Sequence, residues 1–134
     1  MRGLDTNVLV RYLTGDDRRQ SSAAAELIDG PGEEDPRFFV TVVALVELVW
    51  TLRSNLYGFD RRATSDVVAR ILGSPRFRVQ EEVAVRSALE LHRKGPADFS
   101  DYLIAELCTR AGCDEILTFD RTFAGHEGCT LVAR

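Results

Sequence analysis

The chain has 134 residues, 45% of them hydrophobic, which suits one domain able to bury a core and leaves little room for a second. Its three cysteines form no C-x-x-C pair and its two histidines are far apart, so a zinc site of sequence-close cysteine and histidine ligands is disfavoured. The net charge of -4 argues against a polyanion held by excess basic charge alone, although acids gathered at one metal-loaded site would be offset locally.

From the N-terminus, residues 2–4 form a short apolar run that reads as a strand, ending at Asp5. Asp5 and Asn7 arrive too early for a signal-peptide core, which points to a cytoplasmic protein. Helical spacing follows over residues 7–13 and 20–28, then a flexible loop over residues 30–36, where Gly, Pro and acidic residues cluster. The longest apolar stretch, residues 38–52, is interrupted by Thr41, Glu47 and Thr51 and falls short of the ~20 residues a membrane helix needs. It reads as a strand over 38–40 and a helix over 42–52. Helices are expected at 62–72, 83–93 and 102–111, and strands at 77–79, 116–119 and 130–132. Strands alternating with helices imply a largely parallel sheet covered on both faces, with ligands beyond the carboxyl ends of its strands.

Acidic residues fall at those ends. Asp5, with Thr6 and Asn7, occupies a strand-to-helix turn, where a helix N-cap is an equally good reading. Glu47 is the only charge in residues 38–52, and its helix face carries Val43, Ala44 and Trp50. With Thr51 rather than a base at i+4, it reads as a largely buried carboxylate needing a cation or strong donors, and a rim glutamate on a helix packed mostly in protein is the alternative. Asp98 and Asp101 resemble a capping box before a helix. Helix phase places Asp101 in line with Ile104, Cys108 and Ala111, as head of an inward stripe, and Asp98 at the cap. Asp120 closes a strand before a turn whose Phe123 can pack back, and a plain turn aspartate is the alternative. Together, four such acids would repel one another without a hard cation, and oxygen-only ligands favour magnesium or manganese. Cys108, Cys113 and Cys129 read as buried thiols, two of them inside apolar patterns. Lys94 is the only lysine; the arginines suit bidentate phosphate contacts, and coding bias explains them equally well.

Taken in order, Leu4-Asp5-Thr6-Asn7-Val8-Leu9, the helix bearing Val46-Glu47-Leu48, Asp98-Phe99-Ser100-Asp101-Tyr102-Leu103-Ile104-Ala105 and Leu117-Thr118-Phe119-Asp120-Arg121-Thr122-Phe123 resemble the PIN-domain nucleases, specifically VapC-type toxins of bacterial toxin–antitoxin pairs. The resemblance covers nearly the whole chain. It implies a single domain over 1–134 with a three-layer α/β fold: a mostly parallel central sheet of about five strands, flanked by helices. It also implies a metal-dependent endoribonuclease whose acidic positions are Asp5, Glu47, Asp101 and Asp120, with Thr6 and Thr118 as small polar site residues. On this reading Asp5 and Asp101 are the primary ligands of Mg²⁺ or Mn²⁺, Glu47 and Asp120 complete the acidic ring, and Asp98 has at most a supporting role. The resemblance further implies a tRNA or ribosomal RNA substrate, a homodimer and a cognate antitoxin that inserts an arginine among the acids.

Other readings fit less well. A phosphotransfer receiver wants adjacent carboxylates and a strand-end lysine, whereas Lys94 precedes Gly95-Pro96. An aspartyl phosphatase wants an acid two residues after its nucleophile, where this chain has Asn7. A metal-free route through the RNA 2′-hydroxyl wants a paired acid and base, and His92 and His126 stand in poor contexts for it. A PIN-like scaffold that binds RNA or a partner without cleaving is the non-enzymatic alternative.

Overall fold

The computed structural model describes residues 1–32 and 34–133. Its internal packing divides the chain into two compact units, residues 1–82 and 83–134. The first runs β1 (Arg2–Gly3), α1 (Thr6–Thr14), α2 (Arg18–Asp29), β2 (Phe38–Val40), α3 (Val42–Arg53), α4 (Arg61–Gly73) and β3 (Phe77–Val79). The three strands form one parallel sheet in sequence order, with β2 in the middle. Arg2 lies opposite Phe38, and Phe38, Phe39 and Val40 lie opposite Phe77, Arg78 and Val79. Parallel neighbours need crossover connections, which here are the pairs α1–α2 and α3–α4.

Short polar side chains start the helices. Asp17, Thr41 and Asp60 each accept the backbone N–H three residues on, at 3.0, 3.0 and 2.8 Å, satisfying donors the first turn leaves unpaired. α1 ends on Gly15 at φ 66°, a conformation that costs glycine least. The core gathers Leu9, Ile28, Phe38, Val40 and the α3 stripe Leu45, Leu48, Val49 and Leu52, as the periodicity predicts. The loop after α2 has no helix or strand among its described residues. It is tied down by Arg37, which bonds Asp35 and the Gly30 carbonyl at 2.9 Å each, and by Arg76, which reaches the Ile28 and Gly30 carbonyls. Glu33, part of the loop expected there, lies outside the described residues.

The second unit takes in α5 (Glu82–Lys94), which begins at the boundary, α6 (Phe99–Arg110), β4 (Ile116–Thr118), a 3₁₀ turn (Phe123–Gly125) and β5 (Cys129–Leu131). β4 and β5 pair in parallel, Ile116 opposite Cys129. The turn from α5 to α6 is built around Tyr102, whose hydroxyl accepts the Ala97 N–H at 3.2 Å. It lies so close to Gly95 that a Cβ there would stand 2.0 Å away. The α/β class and the parallel pairing therefore hold. The five strands found among the described residues pair as a ladder of three and a ladder of two, rather than as one continuous ladder. The thiols depart from expectation: Cys113 is exposed, and Cys108 and Cys129 are half-buried. Cys113 follows the end of α6 and Cys129 opens a two-stranded ladder, so neither lies in a packed interior. No helix among the described residues is long and apolar enough to cross a membrane.

A polar cluster joins the end of α1 to the turn after α3. The Tyr57 hydroxyl donates to Asp16 at 2.5 Å, the Thr14 hydroxyl at 2.8 Å, and Arg11 lies 3.0 Å from both carboxylate oxygens. Led by the Tyr57 bond, these donors lower the Asp16 pKa from 3.8 to about 2. A depressed folded-state pKa stabilises the fold above pH 3.8, and that contribution is lost as pH falls towards about 2. Carboxyl ¹³C titration should give Asp16 a midpoint near 2, and Tyr57→Phe should move it back towards 3.8. A midpoint that ignores Tyr57→Phe would remove the hydroxyl from this account.

Candidate active site

In the first unit the site starts where β1 hands the chain to α1. Leu4 is buried, and Asp5 turns outward as N-cap with extended backbone (φ -76°, ψ 154°). Its Oδ1 accepts the Thr6 N–H at 2.8 Å, the first helical donor rather than the second or third that a cap usually takes. The carboxylate thus sits at a helix N-terminus, where the backbone dipoles favour negative charge. Thr6 is buried, and its hydroxyl donates to Glu47 Oε1 at 3.4 Å, joining α1 to the middle of α3.

Glu47 corrects one expectation: it is exposed, not largely buried. Its face of α3 is apolar as read, but it is open at Val43 and Trp50, 68% and 61% exposed, although Ala44 is buried. Apolar neighbours on a helix wheel do not bury a residue unless another element covers them. Burial therefore does not force this carboxylate onto a cation; its observed partner is Thr6.

In the second unit Asp98 is the N-cap of α6 and forms a capping box with Asp101. The Asp101 Oδ2 accepts the Asp98 N–H at 3.2 Å. The cap reading of Asp98 holds, but the inward stripe does not: Ile104 is 48% exposed, and the buried face of α6 is Phe99, Tyr102, Leu103 and Ala105. Asp101 itself is half-buried. Desolvation raises its pKa first, with further increases from the charges of Asp98 and Asp120, against the lowering effect of the Asp98 N–H. Asp120 is exposed and held by backbone: its Oδ1 accepts the N–H groups of Thr122 and Phe123 at 2.8 and 3.1 Å. Its own N–H donates to the Thr118 hydroxyl at 3.0 Å. Phe123 packs back into the unit as expected.

The structure thus links Asp5, Thr6 and Glu47 in one unit, and places Asp98 and Asp120 within electrostatic reach of Asp101 in the other. The PIN domain family profile matches residues 4–127 and spans every one of these positions. The chain belongs to the PIN-domain family. A VapC ribonuclease of Aquifex aeolicus (strain VF5) is 28% identical over 123 residues, covering 92% of this chain and 90% of the relative. Among solved structures, Mycobacterium tuberculosis VapC20, described as a sarcin–ricin loop cleaving toxin, aligns over 92% of this chain and 93% of its own. That alignment has 17% identity and a TM-score of 0.42.

Among the described residues no group of three or more His, Cys, Asp or Glu side chains is gathered closely enough to hold a metal ion. The donor chemistry nonetheless suits a hard divalent cation. Every candidate ligand is a carboxylate oxygen, and the Asp101 pKa is raised by burial first and then by the like charges of Asp98 and Asp120, which such an ion would offset. A raised folded-state pKa contributes stability below the unfolded pKa of Asp101, and that contribution is lost as pH rises through the folded value. Asp120→Asn keeps the turn acceptor and removes one like charge, so the Asp101 midpoint in a ¹³C titration should fall. An unmoved midpoint would show that Asp120 does not act on Asp101.

Proposed function

We propose that this PIN domain is a Mg²⁺- or Mn²⁺-dependent endoribonuclease, the toxin of a VapBC-type pair acting in the bacterial cytoplasm, and that residues 1–134 work as one domain. The observation that carries the reading is the set of four acids, each held, among the described residues, by a backbone N–H or a hydroxyl: Asp5 on the Thr6 N–H, Glu47 on the Thr6 hydroxyl, Asp101 on the Asp98 N–H, Asp120 on its turn. The likeness to a VapC ribonuclease along 92% of the chain supports it, and one family profile running through both units supports the single domain.

A divalent ion bound here would supply charge neutralisation at the scissile phosphate and a bound water of lowered pKa. Asp5 and Asp101 would be its main ligands, with Glu47 and Asp120 completing the set directly or through water. The chain's own contribution is positioning. The Thr6 hydroxyl orients Glu47 through Oε1, and two backbone donors hold Asp120 by Oδ1, so Oε2 and Oδ2 take no part in these bonds. Hydrolysis of this kind leaves a 5′-phosphate and a 3′-hydroxyl. The histidines are engaged otherwise. His92 is buried with Nδ1 3.3 Å from the Ala97 carbonyl oxygen, and His126 packs edge-on to Tyr102 at 5.2 Å, which disfavours a metal-free route through the 2′-hydroxyl.

The substrate on this reading is tRNA or ribosomal RNA, and the partners are an antitoxin that blocks the acids with an arginine and a second copy of the chain. The open face of α3 with Val43 and Trp50, and Leu56 just beyond it at 80% exposure, is the apolar surface that suits a homodimer. Tyr57 contributes less than its type suggests, because its hydroxyl is committed to Asp16. Light scattering should give a dimer at micromolar concentration and a monomer for Trp50→Glu; a monomeric wild type would rule the dimer out.

Purified protein incubated with tRNA and ribosomal RNA should cleave in Mg²⁺ or Mn²⁺ and stop in EDTA; cleavage undiminished by EDTA would sink the mechanism. Asp5→Asn should abolish cleavage with the fold intact, since the amide oxygen can still accept the Thr6 N–H. Asp101→Asn can likewise keep its bond to the Asp98 N–H, so it should lose cleavage and Mn²⁺ binding without unfolding. Asp98→Ala should lower stability by ~0.5–2 kcal/mol, as a lost cap does, and keep measurable cleavage. Loss of Mn²⁺ binding in Asp98→Ala but not in Asp101→Asn would reverse these two roles.

A further inference from the structure

The C-terminus of α6 is closed by backbone geometry of a specific kind. The Cys113 N–H donates to the Cys108 carbonyl at 3.0 Å, the Gly112 N–H donates to the Thr109 carbonyl at 3.1 Å, and Gly112 adopts φ 89°. This six-to-one and five-to-two pair is a Schellman motif, which brings the side chain three residues inside the helix end against the one two residues beyond it. That contact is usually hydrophobic. Here both positions are cysteine, so the motif sets the Cys108 and Cys113 side chains beside one another.

We propose that Cys108 and Cys113 form a peroxide-oxidisable dithiol that closes an intramolecular disulfide across the end of α6. Cys113 is exposed and meets the oxidant; Cys108 is half-buried and stands as the resolving thiol. Burial, followed by the neighbouring Cys113, pushes the Cys108 thiol up, so Cys108 does not compete for the oxidant and gives up its proton only as it attacks. In the first step the Cys113 thiolate attacks a peroxide oxygen. An S–O bond forms, the O–O bond breaks, water leaves after proton uptake, and Cys113 becomes a sulfenic acid with the peroxide reduced by two electrons. In the second, the Cys108 sulfur attacks Cys113, the S–S bond forms, the S–OH bond breaks, and the hydroxyl leaves with the Cys108 proton as a second water. Two thiols and one hydrogen peroxide thus give one disulfide and two waters.

Cys129 is the competitor. It opens β5, and both Asp101 and Cys108 lie near enough to influence its thiol, which burial pushes up most of all. The Schellman contact joins Cys108 to Cys113 and not to Cys129, so the cross-link should be selective.

The test is to treat the reduced full-length protein with hydrogen peroxide, block remaining thiols, and digest with trypsin without reduction. Cleavage after Arg110 and Arg121 puts the three cysteines on separate peptides. The expected result is a fall from three reactive thiols to one, a monomer lighter by two hydrogens, the Cys108 and Cys113 peptides linked, and full recovery with dithiothreitol. Cys129→Ser should leave the link unchanged, and Cys108→Ser should leave a sulfenic acid on Cys113 that dimedone traps. A link through Cys129, a cross-linked dimer, Cys113 carried to sulfinic acid beside a reduced Cys108, or three thiols surviving the oxidant would each overturn the proposal. Wild type and Cys129→Ser decide it even if Cys108→Ser does not fold.

Discussion

Backbone N–H groups at helix and turn starts fix three of the four candidate acids of this chain. Asp5 takes the first donor of α1, Asp101 takes the N–H of the α6 cap residue, and Asp120 takes two donors of the turn after β4. A helix start leaves several N–H groups without partners, and an acid placed there satisfies them while gaining from the aligned peptide dipoles. The same bonds that let the elements begin therefore position the carboxylates and lower the cost of holding negative charge there. Glu47 is the exception, since it lies inside α3 and takes its restraint from a threonine hydroxyl on another helix.

That arrangement separates folding from charge. A capping acceptor needs an oxygen, not an anion, so the structural bonds survive conversion of an aspartate to its amide while the electrostatics change. Asp101 shows the tension most plainly: its bond to the Asp98 N–H favours the ionised form, yet burial and the two neighbouring acids outweigh it and raise its pKa. A carboxyl held in place by one backbone donor and made reluctant to ionise by its neighbours is chemically suited to a group whose charge is balanced by a bound cation.

Element positions were legible in the sequence because each rests on local signals. The strands at Phe38–Val40 and Phe77–Val79 fall where the apolar runs put them, and the cap of α6 follows from the spacing of Asp98 and Asp101, although the helix begins at Phe99, ahead of the expected range of 102–111. What misled was the inference of burial from one helix at a time. α3 is apolar on both sides, so its periodicity identifies Leu45, Leu48 and Leu52 as core but cannot say that Val43, Trp50 and Glu47 face outward. The phase of α6 failed in the same way, since the line through Asp101 and Ile104 is a real helix line but not the packed one. Long-range polar contacts left no local trace at all: Thr6 and Glu47 are 41 residues apart, as are Asp16 and Tyr57. The paired thiols were hidden for a different reason, because a five-residue cysteine spacing acquires meaning only once Gly112 is seen to end the helix in a left-handed conformation.

The arginines show how composition overstates a surface. A chain with one lysine and many arginines suggests guanidinium groups held ready for phosphates. Several are spent inside the first unit instead. Arg11 bonds Asp16, Gln20 and the Tyr57 hydroxyl; Arg37 and Arg76 bond the carbonyls that end α2; Arg2 and Arg70 lie 5.8 and 5.9 Å from the ring centres of Phe38 and Tyr12. Using arginine for these tasks is chemically sensible, because one planar fork satisfies several acceptors at once and stacks on a ring. The consequence for function is that RNA affinity cannot be read from the arginine total. With an overall charge of -4 and five of the sixteen arginines committed to the fold, a cation held by the acids would, on the proposed reading, add to the attraction for a phosphate backbone.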